Sequence, residues 1–203
     1  MDNLLTPLRS PLKSSFTKRL LQVNRLDEQG FQDWALVPGM LFGADRLWWG
    51  GGAPRPRPHE GVDLQDFVDG GGELVTLGAG RMIPALFGGR VVAIFVDFLG
   101  HSIMVAHPLR QGESRLHSIY AHVEVEPGVA LGHQCAAGEI IGRIAKSNRS
   151  GVPAHLHLST FWLSGVLADA LSWSEIGRAT NILWCDPLEF IGGAGNRGLP
   201  PRP

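Results

Sequence analysis

From Met82 onward the chain alternates short apolar and polar runs, broken at close intervals by glycine and proline. Arg90 to Phe98 (RVVAIFVDF) is β-branched and aromatic and predicts a strand, with Leu99-Gly100 as a turn into a second strand at Ser102–His107. Pro108 to Arg115 is polar and predicts a loop, and Leu116–Val123 (LHSIYAHV) a third strand. Gly128, Gly132, Gly138 and Gly142 then space short apolar pieces as in a small β-meander. Ser147–Pro153 reads as a loop, Ala154–Phe161 (AHLHLSTF) as a strand, 164–179 as an inserted helix, and Asn181–Cys185 as a final strand before DPLEF.

The first part of the chain is patterned differently. Over 14–29, Phe16, Leu20, Val23 and Leu26 fall near one helical face, with Ser14 or Ser15 as the cap. Such a helix either packs on the domain, the reading favoured here, or serves as a pro-segment over a groove. Residues 38–58 form a loop-rich lead-in in which Trp48 and Trp49 precede three glycines and a proline-rich stretch. The two tryptophans suit either a groove wall or an anchor to the core. The expected division is an N-terminal helical and irregular arm at 1–37, one domain at 38–192, and a Gly/Pro-rich tail at 193–203.

Composition agrees with the strand pattern. The 27 glycines and 14 prolines among 203 residues favour tight turns over long helices. The expected fold is all-β, a mainly antiparallel sheet with short peripheral helices. A net charge of −1 excludes the basic footprint of a nucleic-acid binder. No apolar run reaches the ~18–20 residues of a transmembrane segment. The start, Met1 to Gln22, shows no signal-peptide apolar stretch. Cys135 and Cys185 are too few for a cysteine zinc site and read as two unrelated thiols, with a single bridge between them as the alternative in an oxidising compartment.

Three pieces carry candidate chemistry: HEGVD (59–63), IYAH ending at His122, and HLH (155–157). Strand alternation puts His155 and His157 on one face and Leu156 and Leu158 on the other. An extended HEGVD puts His59, Gly61 and Asp63 on one face, with Gly61 leaving room for something bound. Two imidazoles and a carboxylate suit catalytic zinc, which takes three protein ligands and a water. His59, Asp63 and one histidine of HLH would supply that set, leaving His122 and the other histidine to handle protons or an oxyanion. His101, His107, His117 and His133 are expected to be structural or solvated. HEGVD is not the helical HExxH motif, since its fifth residue is Asp63.

The order H-x-G-x-D, Y-A-H, H-L-H resembles the lysostaphin-type zinc endopeptidases, peptidoglycan hydrolases of metallopeptidase family twenty-three. IPALFGGRVVAI, GVALGHQCAAGEIIGRIAKS and DPLEF are similar to that family's other segments, so the resemblance covers roughly 40–192. It implies one Zn2+ per chain held by His59, Asp63 and His157, with His122 and His155 as non-ligand catalytic histidines. It also implies a peptidoglycan peptide substrate, an extracytoplasmic location and a monomer. The chain departs from the family in the long Gly-rich 65–80, in the SNRSGVPA approach to HLH, and in the insertion near 164–179. The alternative reading is a catalytically silent cell-wall-binding or hydrolase-activating module on the same fold.

Overall fold

A computed structural model describes residues 12–167 and 172–192. Its strands are β1 (Phe31–Trp34), β2 (Gly61–Leu64), β3 (Asp66–Asp69), β4 (Leu74–Thr76), β5 (Met82–Pro84) and β6 (Gly89–Val96). They continue as β7 (His101–Gln111), β8 (Ser114–Val125), β9 (Gln134–Cys135), β10 (Ile140–Ile144), β11 (Leu156–Leu163) and β12 (Ile182–Cys185). The α-helices are short: α1 (Phe16–Val23), α2 (Trp173–Ile176) and α3 (Leu188–Ile191). The fold is therefore mainly antiparallel β, as the sequence pattern predicts.

The large sheet runs β12-β11-β8-β7-β6-β9, with β10 and β5 beside β8. One edge of β11 meets β8, while its other edge is shared between β2 at 156–159 and β12 at 160–163. A smaller sheet, β1-β3-β4, accounts for the Gly-rich stretch after HEGVD. Gly70 to Gly72 make its β3–β4 turn, with Asp69 Oδ1 accepting the amides of Gly71 and Glu73.

Each face of the large sheet has its own apolar cluster. Val62, Leu64, Ile103, Val105, Tyr120, Leu156 and Leu158 meet α1 residues Phe16 and Leu20 on one face. Met104, Ile119, Phe161, Leu163 and Ile176 of α2 form the other. The N-terminal helix is thus packed into the core and tied to the last helix: Ser14 N–H donates to Phe190 O and the Thr17 hydroxyl to Ile191 O. No helix among the described residues is long and apolar enough to cross a membrane.

Three elements differ from the sequence pattern. The helix expected over 14–29 ends at Val23, because the Asn24 side chain bonds Leu20 O and both backbone groups of Met82, and Arg25 turns to φ 55°. The loop expected at 108–115 is a hairpin: β7 absorbs Pro108 in an irregularity and turns at Gly112, φ 57°. Of the helix expected over 164–179, residues 168–171 lie outside the described ones, and only 173–176 is helical. Ser172 caps that helix by accepting the Glu175 amide, and Gly165 at φ 77° precedes the stretch.

Candidate functional site

Pairing of β2 with β11 brings two of the three motifs together. Asp63 stands opposite His157, and Gly61 opposite Ser159. His59, two residues before β2, folds back onto the pair. A Cβ on Gly61 would collide with Leu158 O and come to 2.9 Å from His157 Cε1. Glycine is therefore required by the contact between the two strands, which corrects the expectation of room for a bound group there.

His122 arrives at the same face by a different device. Tyr120 belongs to the α1-side cluster, so strict alternation would turn His122 toward α1 as well. Opposite His101 and Ile103, however, stand Val123 and Tyr120, so β8 holds an extra residue. The bulge reverses the alternation, with Val123 back in the α1-side cluster and His122 at φ 64° on the face of His157. This conformation is strained for a non-glycine residue.

The ring nitrogens are committed in a consistent way. His59 Nδ1–H donates to Leu41 O (3.0 Å), so its Nε2 faces inward, 3.1 Å from His157 Nδ1 and 3.3 Å from Asp63 Oδ1. His157 Nδ1 lies 2.8 Å from Asp63 Oδ1, and its Nε2 is 2.8 Å from the Ser159 hydroxyl, which can donate or accept. His155 Nδ1–H donates to Pro153 O (2.7 Å). Its Nε2 is buried with no hydrogen-bond partner among the described residues and lies 3.7 Å from Asp63 Oδ1. His122 Nδ1–H donates to Asp97 Oδ1 (3.1 Å). Asp63 Oδ2 is already occupied, accepting from Trp48 Nε1 at 2.7 Å and pairing with Arg55 at 3.4 Å. Oδ1, by contrast, faces the imidazoles of His59, His155 and His157.

Candidate ligand atoms of His59, Asp63 and His157 all lie within 4.8 Å of one another, and all three residues are buried. Buried acceptors converging without enough hydrogens to share call for a cation, and two imidazoles with one carboxylate are the donors zinc takes. Electrostatics point the same way. Burial alone would raise the Asp63 carboxyl, but the imidazoles of His59 and His155 and the hydrogen bonds of His157 and His59 hold it well below the usual range. Burial pushes His155 below its ordinary value, aided by His122 and His59 and opposed by Asp63, so this ring is kept neutral. Asp97 is also raised by burial, yet hydrogen bonds and charge from His122 bring it below the carboxylate range.

A groove opens over this cluster, lined by Trp49, Arg57, Glu60, Phe98, Trp173 and Trp184 among others. Trp48 and Trp49 both contact the His155 ring edge or face, at 5.2 and 5.5 Å between centroids. The pair therefore does what the sequence left open: Trp48 braces the candidate ligand Asp63 and Trp49 forms groove wall. Arg55, Asp97 and Trp173 are site residues that sequence reasoning missed. The proline-rich run around Arg55 and the aspartate heading a turn before Gly100 were visible, but nothing local aimed them at the site. All five sequence-predicted residues, His59, Asp63, His122, His155 and His157, are brought together. His107, His117 and His133 lie elsewhere, each hydrogen-bonded. Exposed His101 is at the start of β7.

No family model matches the chain, and no curated protein does. Solved structures do. The LytU structure is 27% identical, with 62% of this chain and 72% of that one covered, at a TM-score of 0.44. The catalytic domain of the antimicrobial peptidase lysostaphin from Staphylococcus simulans is 18% identical, covering 78% of this chain and 86% of that, at 0.43. Lysostaphin itself is 21% identical over 85% of this chain and 56% of that longer one, at 0.48. In its mainly antiparallel fold, and in the order of the motifs that supply its site, the chain resembles the lysostaphin-type peptidases.

Proposed function

We propose that the protein is a zinc-dependent endopeptidase that hydrolyses peptide cross-links or bridges of bacterial peptidoglycan, acting outside the cytoplasm as a monomer. The observation that carries this reading is the convergence of His59, Asp63 and His157 donors beside the unpartnered Nε2 of His155. His59 Nε2, Asp63 Oδ1 and His157 Nδ1 would hold one zinc per chain. When bound, zinc supplies Lewis acidity for the scissile carbonyl and a water whose pKa is brought to about 7.

The chain's own groups do the rest. Leu41 O and the Ser159 hydroxyl engage the outer nitrogens of the His59 and His157 rings and fix their orientation, as metal-binding imidazoles need. His155 and His122 each have Nδ1 engaged and so keep Nε2 for substrate and water. One takes the proton released as water attacks and passes it to the leaving amine; the other can serve the developing oxyanion only while it carries a proton on Nε2 as well, since a bare lone pair would repel it. The tryptophan-lined groove excludes water around a bound peptide.

The test is zinc content together with peptidoglycan digestion, on one purified sample before and after chelation. About one zinc per chain, with chelator-sensitive release of peptide fragments, is the expected result. A full complement of zinc with no digestion sinks the hydrolase reading. Neither zinc nor digestion leaves the silent binding module.

A further inference from the structure

Asp97 receives more hydrogen bonds than a turn requires. Its Oδ1 accepts the amides of Leu99 (2.9 Å) and Gly100 (2.8 Å), which is enough to close the β6–β7 turn. Beyond these, Oδ1 accepts from His122 Nδ1 at 3.1 Å, and Oδ2 accepts the His122 amide at 2.9 Å and the Ser102 hydroxyl at 2.8 Å. One carboxylate thus grips both the ring and the strained backbone of the same histidine. Ser102 Oγ in turn accepts Trp173 Nε1 at 3.0 Å. Trp173 sits on α2 and also meets the His157 ring edge-on at 5.4 Å. The insertion near 164–179, which departs from the family pattern, therefore reaches the site by a continuous chain of hydrogen bonds.

A carboxylate can only accept, so its partner nitrogen must carry the proton. Free neutral imidazole prefers that proton on Nε2, where it would block the atom needed to take a proton from water. We infer that Asp97 is the positioning residue for His122, fixing its proton on Nδ1 and its Nε2 toward the groove, and that Trp173 completes this arrangement through Ser102. The inference rests on the hydrolase reading for its catalytic meaning, but the tautomer it assigns can be measured without activity.

The experiment uses ¹⁵N-histidine spectra of the full chain, with zinc content and peptide-cleavage kinetics, for four variants. In the wild type His122 gives the Nδ1–H tautomer. In Asp97→Ala it shifts toward Nε2–H, zinc content is unchanged, and kcat falls about ten- to hundredfold with KM unchanged. Asp97→Asn, which keeps an acceptor oxygen without its charge, falls between. Ser102→Ala and Trp173→Phe each lower kcat about two- to tenfold, the worth of one hydrogen bond. An unaltered His122 tautomer in folded Asp97→Ala, or a loss confined to KM, overturns the role of Asp97. Unchanged kcat in both Ser102→Ala and Trp173→Phe overturns the chain to α2, and these two variants decide the matter should Asp97→Ala not fold. A wild type that cleaves nothing, with the tautomer shift still seen in Asp97→Ala, removes the hydrolase reading and leaves the positioning intact.

Discussion

Strands β7 and β8 carry two buried histidines that look alike in sequence and differ in what surrounds them. His107 is fully buried, with Nδ1–H donating to Gly88 O (3.1 Å) and Nε2 bonded to the Ser118 hydroxyl (2.8 Å). Ser118 continues to the Tyr120 hydroxyl at 3.1 Å, which accepts the Leu86 amide at 2.6 Å. Every polar atom of that chain is answered within the fold. Near the other end of β8, His155 has Nδ1 answered and Nε2 buried without a hydrogen-bond partner among the described residues, while its neighbour His122 bears a strained backbone. Burial alone does not distinguish a structural histidine from one proposed to work. A missing partner does, because an unanswered buried group is a cost that stability by itself would remove.

Substitutions can break this contrast. The largest effect is expected for Asp63→Ala and His157→Ala, which delete proposed ligands: zinc content should fall to the level of the chelated protein and cleavage to background. Zinc retained by either variant would refute the ligand set. Next comes His122→Ala, which should keep its zinc and lose about 10²–10⁴ in kcat, the range of general acid–base catalysis. Loss of zinc in that variant would make His122 a ligand and the role assignment wrong.

The smallest effect on activity, and the clearest on stability, belongs to His107→Gln. Burial, with a smaller push from His117 and against the Gly88 hydrogen bond, brings His107 down to about 4. The unfolded chain binds this proton near 6.5 and the folded one does not until about 4. The stability contributed by neutral His107 is therefore whole above pH ~6.5, drains away as pH falls toward ~4, and loses nothing further below that. Urea unfolding across this window should show a pH dependence in the wild type that is shallower in His107→Gln. The variant should also be less stable at pH 7 by about 1–3 kcal/mol, with zinc content and kcat unchanged. An equal pH slope in the two proteins would show that His107 titrates as an ordinary solvated imidazole.

What could be read in the sequence was what alternation and motif order determine. His155 and His157 share a face because one leucine separates them, and Leu156 and Leu158 are buried in the core as that spacing demands. Much of the strand ladder followed from β-branched runs and glycine punctuation. The rest depended on events that no short window contains. An inserted residue in β8 turns His122 over, and its presence is a property of the β7–β8 register. Trp48 and Arg55 reach Asp63 only because the lead-in loop folds back across β2. Gly61 was singled out correctly and for the wrong reason, since the strand it accommodates lies almost a hundred positions further along the chain.

That same β2–β11 pairing sets the moment at which the candidate centre comes into being. The contacts of His157 with His59 and Asp63 span 98 and 94 positions, and none of them forms locally. A nascent or unfolded chain holds H-x-G-x-D at 59–63 and H-L-H at 155–157, far apart along the chain and with nothing local to join them. Assembly of the candidate centre thus coincides with completion of the sheet, so under the proposed function fold closure itself acts as the safety catch on the chemistry.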